Sequence, residues 1–251
     1  MIIHEVLQGS KQWLACRSGI PTASCFDKIV TPKGKPSTQA EKYMWRLLAE
    51  RIMGHPVTEA ISYWMGRGLA TEAEAVAYYQ GIRELTTVPV GLLTNDAGTI
   101  GASPDRLVGD RGLLEIKVPA EHTHVGYLLT RSVDAEYYPQ VQGQLWISER
   151  EWLDVMSYHP EMPPALIRVE RDEAYIATLS TAVSAFSEQL EAKAAELREK
   201  GWITGAASRP ADTVVEALRN GEPIDDGALR EDWKHYSAGD KAAINALRGR
   251  P

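Results

Sequence analysis

The sequence predicts an α/β protein of the α+β kind, in which a central mixed β-sheet is flanked by helices and a small helical appendage follows. Three observations predict it. Helix-spaced apolar residues with helix start and stop signals fill most of the first 80 positions. From Glu84 the pattern changes to short Thr-, Val- and Leu-rich runs separated by turn residues. Two helical segments, two more strand-like runs and one long helix then complete the core.

In chain order, Ser10 is an N-cap for a short helix from Lys11 to Ser18, and Gly19 ends it. A second helix is expected to begin near Thr22 to Ser24. Thr38 and Glu41 have capping-box spacing and open a helix to about Met53, with Gly54 as the stop. A further helix is expected from near Leu69 to Gln80. Glu84 to Leu93 reads as one strand, and Ile100–Ser103, Asp105–Val108 and Leu113–Val118 as three more. Gly109, Asp110, Arg111 and Gly112 supply a tight turn between the last two, making them a hairpin. Helices are expected at Glu121–Thr130 and Ala135–Ile147, strands at Trp152–Tyr158 and Ala165–Glu170, and a long helix from Asp172 to Lys200, ended by Gly201. Past Ile203 the composition turns small and polar, and Pro210 follows. Residues 1–203 are therefore expected to form the main domain. Residues 204–251 are expected to form the appendage, with short helices around Val214, Leu229 and Ile244.

Composition narrows the class. The chain has 251 residues, 44% of them apolar and 24% charged, enough for one large domain with a real core. Its two cysteines, Cys16 and Cys25, form neither a metal-spaced cluster nor a disulfide framework, and they cannot supply the four ligands of an iron–sulfur cluster. No apolar stretch is long enough to span a membrane, and no signal-peptide pattern opens the chain, so a cytoplasmic protein without membrane partners is expected. On its face the net charge of −7 argues against nucleic acid, because phosphate contacts need Lys and Arg. It does not argue against a local basic groove beside an acidic metal site, because net charge governs long-range attraction and solubility.

One constellation carries chemistry. Asp105 opens one strand of the hairpin, and Glu115 and Lys117 lie two apart on the other, so they share a face while Ile116 turns to the core. The hairpin brings Asp105 beside Glu115, with an ammonium alongside. Hard Mg²⁺ or Mn²⁺ takes such oxygen ligands, and the Ile116 carbonyl can add one. A metal there polarises a phosphate and acidifies a bound water, while Lys117 orients that water or stabilises charge developing on the phosphate. A solvated hairpin with an exposed Glu–Lys pair would show the same pattern, so three further features matter. Glu72 is a carboxylate near an expected helix start, where the helix dipole alone would favour it. Gln140, in Tyr138-Pro-Gln-Val-Gln142, can bond a phosphate or a water, or can be an ordinary polar helix residue. In Arg17-Ser-Gly-Ile-Pro-Thr-Ala-Ser24, a guanidinium precedes hydroxyls and free amides, which suits an anion.

In order and spacing these segments resemble the phage lambda-type exonuclease family, the YqaJ-like viral recombinases. The matching pieces are Trp13 with Arg17–Ser24, Gly68-x-x-x-Glu72, Ser103-Pro-Asp105, Glu115-Ile-Lys117-Val-Pro119, Tyr138–Gln142 with Trp146, and Val169-Glu-Arg-Asp-Glu173 before a long helix. The resemblance covers about residues 4 to 200. It implies a PD-(D/E)xK restriction-endonuclease-like core. It implies Mg²⁺-dependent 5′-to-3′ digestion of one strand of linear double-stranded DNA, leaving a 3′ single strand for recombination. It also implies a homotrimeric ring, a single-strand annealing protein as partner, and a phage or prophage origin in a bacterial cell. By the same carry-over, two metal ions are held by Asp105, Glu115, the Ile116 carbonyl and Glu72. Lys117 and Gln140 attend the water, and Arg17, Ser24 and Ser103 grip the 5′ phosphate. Asp96 falls near a family acidic position but reads as a turn residue, and the segment beyond about residue 203 matches nothing in the family. Two other readings stay open: an endonuclease of the same fold, which would cut circular duplex, and a non-catalytic DNA-binding scaffold, against which the intact Asp, Glu and Lys argue.

Overall fold

The computed structural model describes residues 1–57, 63–203 and 244–245, leaving aside the side chains of 63–70. Two sheets organise it. Strands β1 (Ile2–His4), β3 (Leu92–Thr94) and β4 (Gly101–Ala102) form an antiparallel sheet in the order β1-β3-β4. Strands β2 (Thr87–Pro89), β5 (Arg106–Val108), β6 (Gly112–Lys117), β7 (Trp152–Ser157) and β8 (Ala165–Glu170) form the central sheet in that order. Its β6–β7 pair is parallel and its other pairs are antiparallel, so the sheet is mixed, as expected. A parallel pair needs a long crossover, and helices α4 (Glu121–Thr130) and α5 (Tyr138–Ser148) supply it, with a 3₁₀ turn at Ala135–Tyr137 between them. The remaining helices are α1 (Lys11–Arg17), α2 (Ala40–Met53), α3 (Tyr63–Arg83) and α6 (Glu173–Glu199), with a second 3₁₀ turn at Ala23–Lys28.

The two faces of the central sheet are covered differently. Strand alternation sends Leu113 of β6 toward α5 and α6, where it packs with Val141, Leu145, Leu153, Val155 and Ile176. Leu114 turns the other way, onto Ala75 and Tyr79 of α3 with Met156 and Tyr158. A third cluster fastens α2 and α6 to the Ala23–Lys28 turn through Phe26, Leu47, Leu179, Val183 and Leu190, with Tyr43 stacked on Phe186 at 5.6 Å. Each fully buried Leu or Phe contributes roughly 1.5–3 kcal/mol relative to exposure. Asp154 of β7 is buried at the sheet centre. It accepts from Arg168 Nε and Nη2 at 2.8 and 3.0 Å and from the Tyr79 hydroxyl at 2.8 Å, with Arg83 at 3.5 Å.

Several boundaries differ from the sequence expectation, each for a local reason. The run from Glu84 to Leu93 is not one strand: β2 joins the central sheet and β3 the smaller one. Pro89 has no N–H to continue a ladder, and at Gly91 a Cβ would meet the Val6 carbonyl oxygen at 2.0 Å, so the chain crosses between sheets there. Helix α3 is in place by Tyr63, so Glu72 lies in its interior rather than at its start, and a dipole role no longer explains that carboxylate. Thr38 does not cap α2; the cap position is Gln39, without a side-chain bond. The second expected helix is the 3₁₀ turn, and its cap position Thr22 makes no capping bond. The hairpin turn spans Gly109–Arg111, with Gly109 at φ +51°, and Gly112 already belongs to β6. Strand β1 had no counterpart among the expected elements. By contrast, Ser10 accepts from Trp13 N, Gly54 ends α2 at φ +72°, and Asp172 caps α6 by accepting from Tyr175 N. The expected helices around Val214 and Leu229 lie outside the described residues, and at the third position Ile244 and Asn245 are helical with Ile244 buried. Among the described residues no helix is long and apolar enough to cross a membrane.

Candidate active site

The site forms at the end of β6, where the strand delivers Glu115 and Lys117 to the face covered by α5. Arg106 pairs with Leu114 across the hairpin, so Asp105, one residue earlier, lies alongside Glu115. Its Oδ2 accepts from the Ile116 amide at 2.6 Å, which ties the start of β5 to the end of β6. Lys117 Nζ donates to Glu115 Oε1 at 2.8 Å and to Gln140 Oε1 at 3.3 Å, and it lies 4.3 Å from the centre of the Tyr137 ring. Gln140 Nε2 returns a bond to the same Glu115 oxygen at 2.7 Å. Glu115, Lys117 and Gln140 thus close a three-membered hydrogen-bonded ring. The other carboxylate oxygen, Oε2, accepts from Gln144 Nε2 at 2.8 Å, one helical turn deeper on α5.

Burial and like charge govern the electrostatics of the acidic pair. Burial, then the neighbouring Glu115 charge, push the Asp105 carboxyl well above the usual carboxylate range, and Glu72 adds to this. For Lys117, burial pulls downward. The Glu115 charge and hydrogen bond, with Tyr137 and Asp105, more than offset it, so the ammonium is held charged. Two carboxylates beside one ammonium form an all-oxygen donor set that suits a hard divalent cation, which needs only one or two carboxylates plus substrate and water oxygens. Among the described residues, no three acidic, His or Cys side chains gather around one point. Glu72 accordingly stands off: its carboxylate pairs with Arg106 Nη2 at 3.6 Å and reaches Asp105 only through its field. Asp96 pairs with the N-terminal ammonium and lies in an exposed turn.

A second cluster sits at the end of α1. The Arg17 guanidinium lies 4.2 Å from the centre of the Trp13 ring, and its Nη2 donates to Thr22 Oγ1 at 3.1 Å and Ser24 Oγ at 3.2 Å. The loop carrying these hydroxyls is fixed from several sides. Gly19 N donates to the buried Glu50 at 2.8 Å, and Arg51 Nε donates to the Gly19 carbonyl at 2.7 Å. Tyr43 accepts from Thr22 N, and Gly101 N donates to the Pro21 carbonyl. Among the described residues, no hydrogen bond joins Ser103 to Arg17. Its Oγ accepts from Trp13 Nε1 at 3.0 Å, so Trp13 links the Arg17 cluster to the segment leading into Asp105.

The structure therefore brings Asp105, Glu115, Lys117 and Gln140 into one cluster and Arg17 with Ser24 into another, while Glu72 and Ser103 each stand one residue removed. Gln144, Tyr137 and Arg106 were not singled out by sequence, and Trp13 and Thr22 were noted only as part of motifs. Two spacing signals were available: Gln144 is four residues beyond Gln140, and Trp13 four before Arg17.

Comparison with known proteins bears on the family and the fold. Residues 12–151 match the model of the YqaJ-like viral recombinase domain. An alkaline exonuclease (LHK-Exo) from Laribacter hongkongensis, whose structure has also been solved in complex with dAMP, shares 35% identity and superimposes with a TM-score of 0.69. The match covers 76% of this chain and 98% of that one. A phage-related exonuclease from Haemophilus somnus 129PT, at 16% identity and a TM-score of 0.58 over 71% of this chain and 96% of its own, shares the fold. A search of curated proteins gives no match. A mixed five-stranded sheet of the PD-(D/E)xK kind, an acidic pair beside a lysine at the end of its second hairpin strand, and a family model spanning more than half of the chain lead to one conclusion: this protein belongs to the lambda-exonuclease-like, YqaJ-like viral recombinase family.

Proposed function

We propose that the protein is a Mg²⁺-dependent nuclease of the recombinase family that digests one strand of linear double-stranded DNA from 5′ to 3′, leaving a 3′ single strand for recombination. The observation that carries the proposal is the hydrogen-bonded ring of Glu115, Lys117 and Gln140 at the end of β6, with Asp105 tied beside it through the Ile116 amide, in a chain 35% identical to an alkaline exonuclease. Asp105, Glu115 and the Ile116 carbonyl would hold the metal, with Glu72 adding a carboxylate from α3; two ions, Mg²⁺ or Mn²⁺, suit this set. A bound divalent ion supplies Lewis acidity toward the scissile phosphate and a more acidic water.

The chain's own groups do the rest. Lys117, held by Glu115, Gln140 and the Tyr137 ring, presents a charged ammonium that orients the attacking water and stabilises negative charge developing on the phosphate. Gln140 carries both a donor and an acceptor into the same space and can exchange one of its bonds for that water or a phosphate oxygen. Arg17, flanked by the Thr22 and Ser24 hydroxyls and backed by Trp13, would receive a terminal 5′ phosphate, with Ser103 holding Trp13 in place. Burial lowers the affinity of the Arg17 guanidinium for its proton, the sign of a charge kept out of water where an anion would be welcome. The proposal extends to a homotrimeric ring around the duplex, a single-strand annealing protein as partner, and action in the cytoplasm of a phage-bearing bacterial host.

The experiment is a time course on linear duplex labelled separately at each 5′ and 3′ end, with Mg²⁺, Mn²⁺ and EDTA arms and a closed circular control. Loss of the 5′ label first, only with metal and only on linear DNA, is the expected result. Cutting of the closed circle would make it an endonuclease, and no cutting with any metal would overturn the enzymatic reading.

A further inference from the structure

Gln144 stands apart from the other residues around Glu115. It is 1% exposed, on the buried face of α5, while Gln140 and Lys117 keep partial exposure. Its Nε2 donates to Glu115 Oε2 at 2.8 Å. Its own carbonyl oxygen, Oε1, is buried without a hydrogen-bond partner among the described residues. A buried amide oxygen left unpaired is costly, and a residue retained for packing alone would be apolar there. The amide orientation is also fixed: turning it over would point the Oε1 lone pairs at a carboxylate oxygen.

The two oxygens of Glu115 thus have different fates. Oε1 is bonded by Lys117 and Gln140, both of which must exchange partners when water and phosphate arrive. Oε2 is bonded by a residue that solvent does not reach. We infer that Gln144 is a positioning residue that pins Glu115 Oε2, fixing the plane of this carboxylate so that it meets a divalent ion in one orientation while the bonds on its other oxygen are remade. The inference rests on the nuclease reading of this site. Groups that orient metal-binding side chains typically tune metal affinity or activity by 10–100-fold, which sets the size of the expected effect.

The test uses the full chain and two variants. Gln144→Met keeps the volume and removes both the donor and the unpaired oxygen. Gln144→Asn keeps the amide but withdraws it by one methylene, out of reach of Oε2. Mn²⁺ affinity is measured by calorimetric titration without DNA, beside the Tm, the KM and kcat on linear duplex, and duplex binding in Ca²⁺. Both variants are expected to fold, to bind duplex as wild type does, and to bind Mn²⁺ roughly 10–100-fold more weakly. The kcat at low metal should fall with KM unchanged, and raising Mn²⁺ should recover much of it. Gln140→Leu is the contrast: it should lose kcat that extra metal does not restore. A folded Gln144→Met or Gln144→Asn with wild-type Mn²⁺ affinity would overturn the inference, as would failure of both variants to fold, which would make Gln144 a packing residue. If wild type itself neither bound Mn²⁺ nor cut DNA, the nuclease reading would fail instead.

Discussion

Gly143 lies on α5 between the residues that reach Glu115, and its missing side chain lets the helix rest against the Ala23–Lys28 turn. A Cβ built there would fall 2.4 and 2.6 Å from Cδ2 and Cε2 of Phe26 and 3.4 Å from the Ala23 Cβ. Phe26 is wholly buried, so its ring has no solvent to swing into. Gly143→Ala sets two effects against each other. Ala is favoured over Gly inside a helix by about 1 kcal/mol. Overpacking a tight core costs about 1–3 kcal/mol, and contacts a full ångström below van der Waals distance with a rigid ring belong at the upper end. The net expectation is a destabilisation of about 1–2 kcal/mol, or a Tm lower by about 2–8 °C for a chain of this size. Thermal unfolding followed by circular dichroism reads it directly. The activity of the folded variant should also fall, because α5 can yield only by lifting Gln140 and Gln144 from β6. A Tm equal to or above that of wild type would show that Phe26 does not press on α5, and the reasoning would be refuted.

Four further outcomes are expected. Lys117→Ala should keep duplex binding in Ca²⁺ and lose cleavage by roughly 10²–10³-fold, the range for one lost electrostatic stabiliser; cleavage within a few-fold of wild type would remove Lys117 from the chemistry. Arg17→Ala should narrow the preference for 5′-phosphorylated over 5′-hydroxyl ends, measured as paired initial rates, and an unchanged preference would refute the end pocket. Tyr79→Phe removes a donor to the buried Asp154 carboxylate and should cost about 1.5–3 kcal/mol, toward the lower value because Arg168 still holds both oxygens; an unchanged Tm would refute it. Asp172, bonded by the Tyr175 amide and then the Tyr138 hydroxyl, has a carboxyl below its ordinary value of 3.8, so its stabilisation is complete above that value and lost as pH falls through the lower, folded value. The Tm gap between wild type and Asp172→Asn should therefore hold steady from pH 7 to about 5 and close below about 4, and a gap that widened on acidification would refute the assignment.

What the sequence revealed and what it hid follow the range of the forces involved. Ser10, Gly54 and Asp172 act on backbone groups three or four residues away, and those helix ends were readable from local pattern. So was the face shared by Glu115 and Lys117, because strand alternation is a local rule. The split of Glu84–Leu93 was not readable. β2 and β3 are both apolar and β-favouring, and which sheet each joins is decided by partners at Val108 and Leu93's neighbours β1 and β4, far along the chain. Thr38–Glu41 has the spacing of a capping box, yet the Ser37 hydroxyl accepts from Gln39 N and the helix opens one residue later. At the site, the juxtaposition of Asp105, Glu115 and Lys117 was legible because a hairpin and strand alternation place them together. Gln144 was not, although it lies one helical turn beyond Gln140, since a glutamine on a helix reads as solvent-facing until the helix is docked, and only docking makes it the sole donor to Glu115 Oε2 among the described residues.

Docking of α5 also decides how the two clusters are related. One face of this helix holds Glu115 through Gln140 and Gln144, and the neighbouring face rests through Gly143 on Phe26, two residues beyond Ser24. On the other side, Trp13 binds Ser103, two residues before Asp105, while stacking on Arg17. The Arg17 cluster and the acidic pair are thus braced twice, once through a helix and once through an indole, with no long loop in either path. Under the proposed function, such bracing would fix the distance between a terminal 5′ phosphate at Arg17 and the phosphate cut at the acidic pair, and so the length of the piece released. Breaking one brace should loosen the size of the step before it abolishes cutting. Trp13→Phe, which keeps an aromatic ring but loses the indole bonds to Ser103 and to the Gly91 carbonyl, is therefore expected to change the length distribution of the released products, and a product pattern identical to wild type would mean that α5 alone sets the spacing.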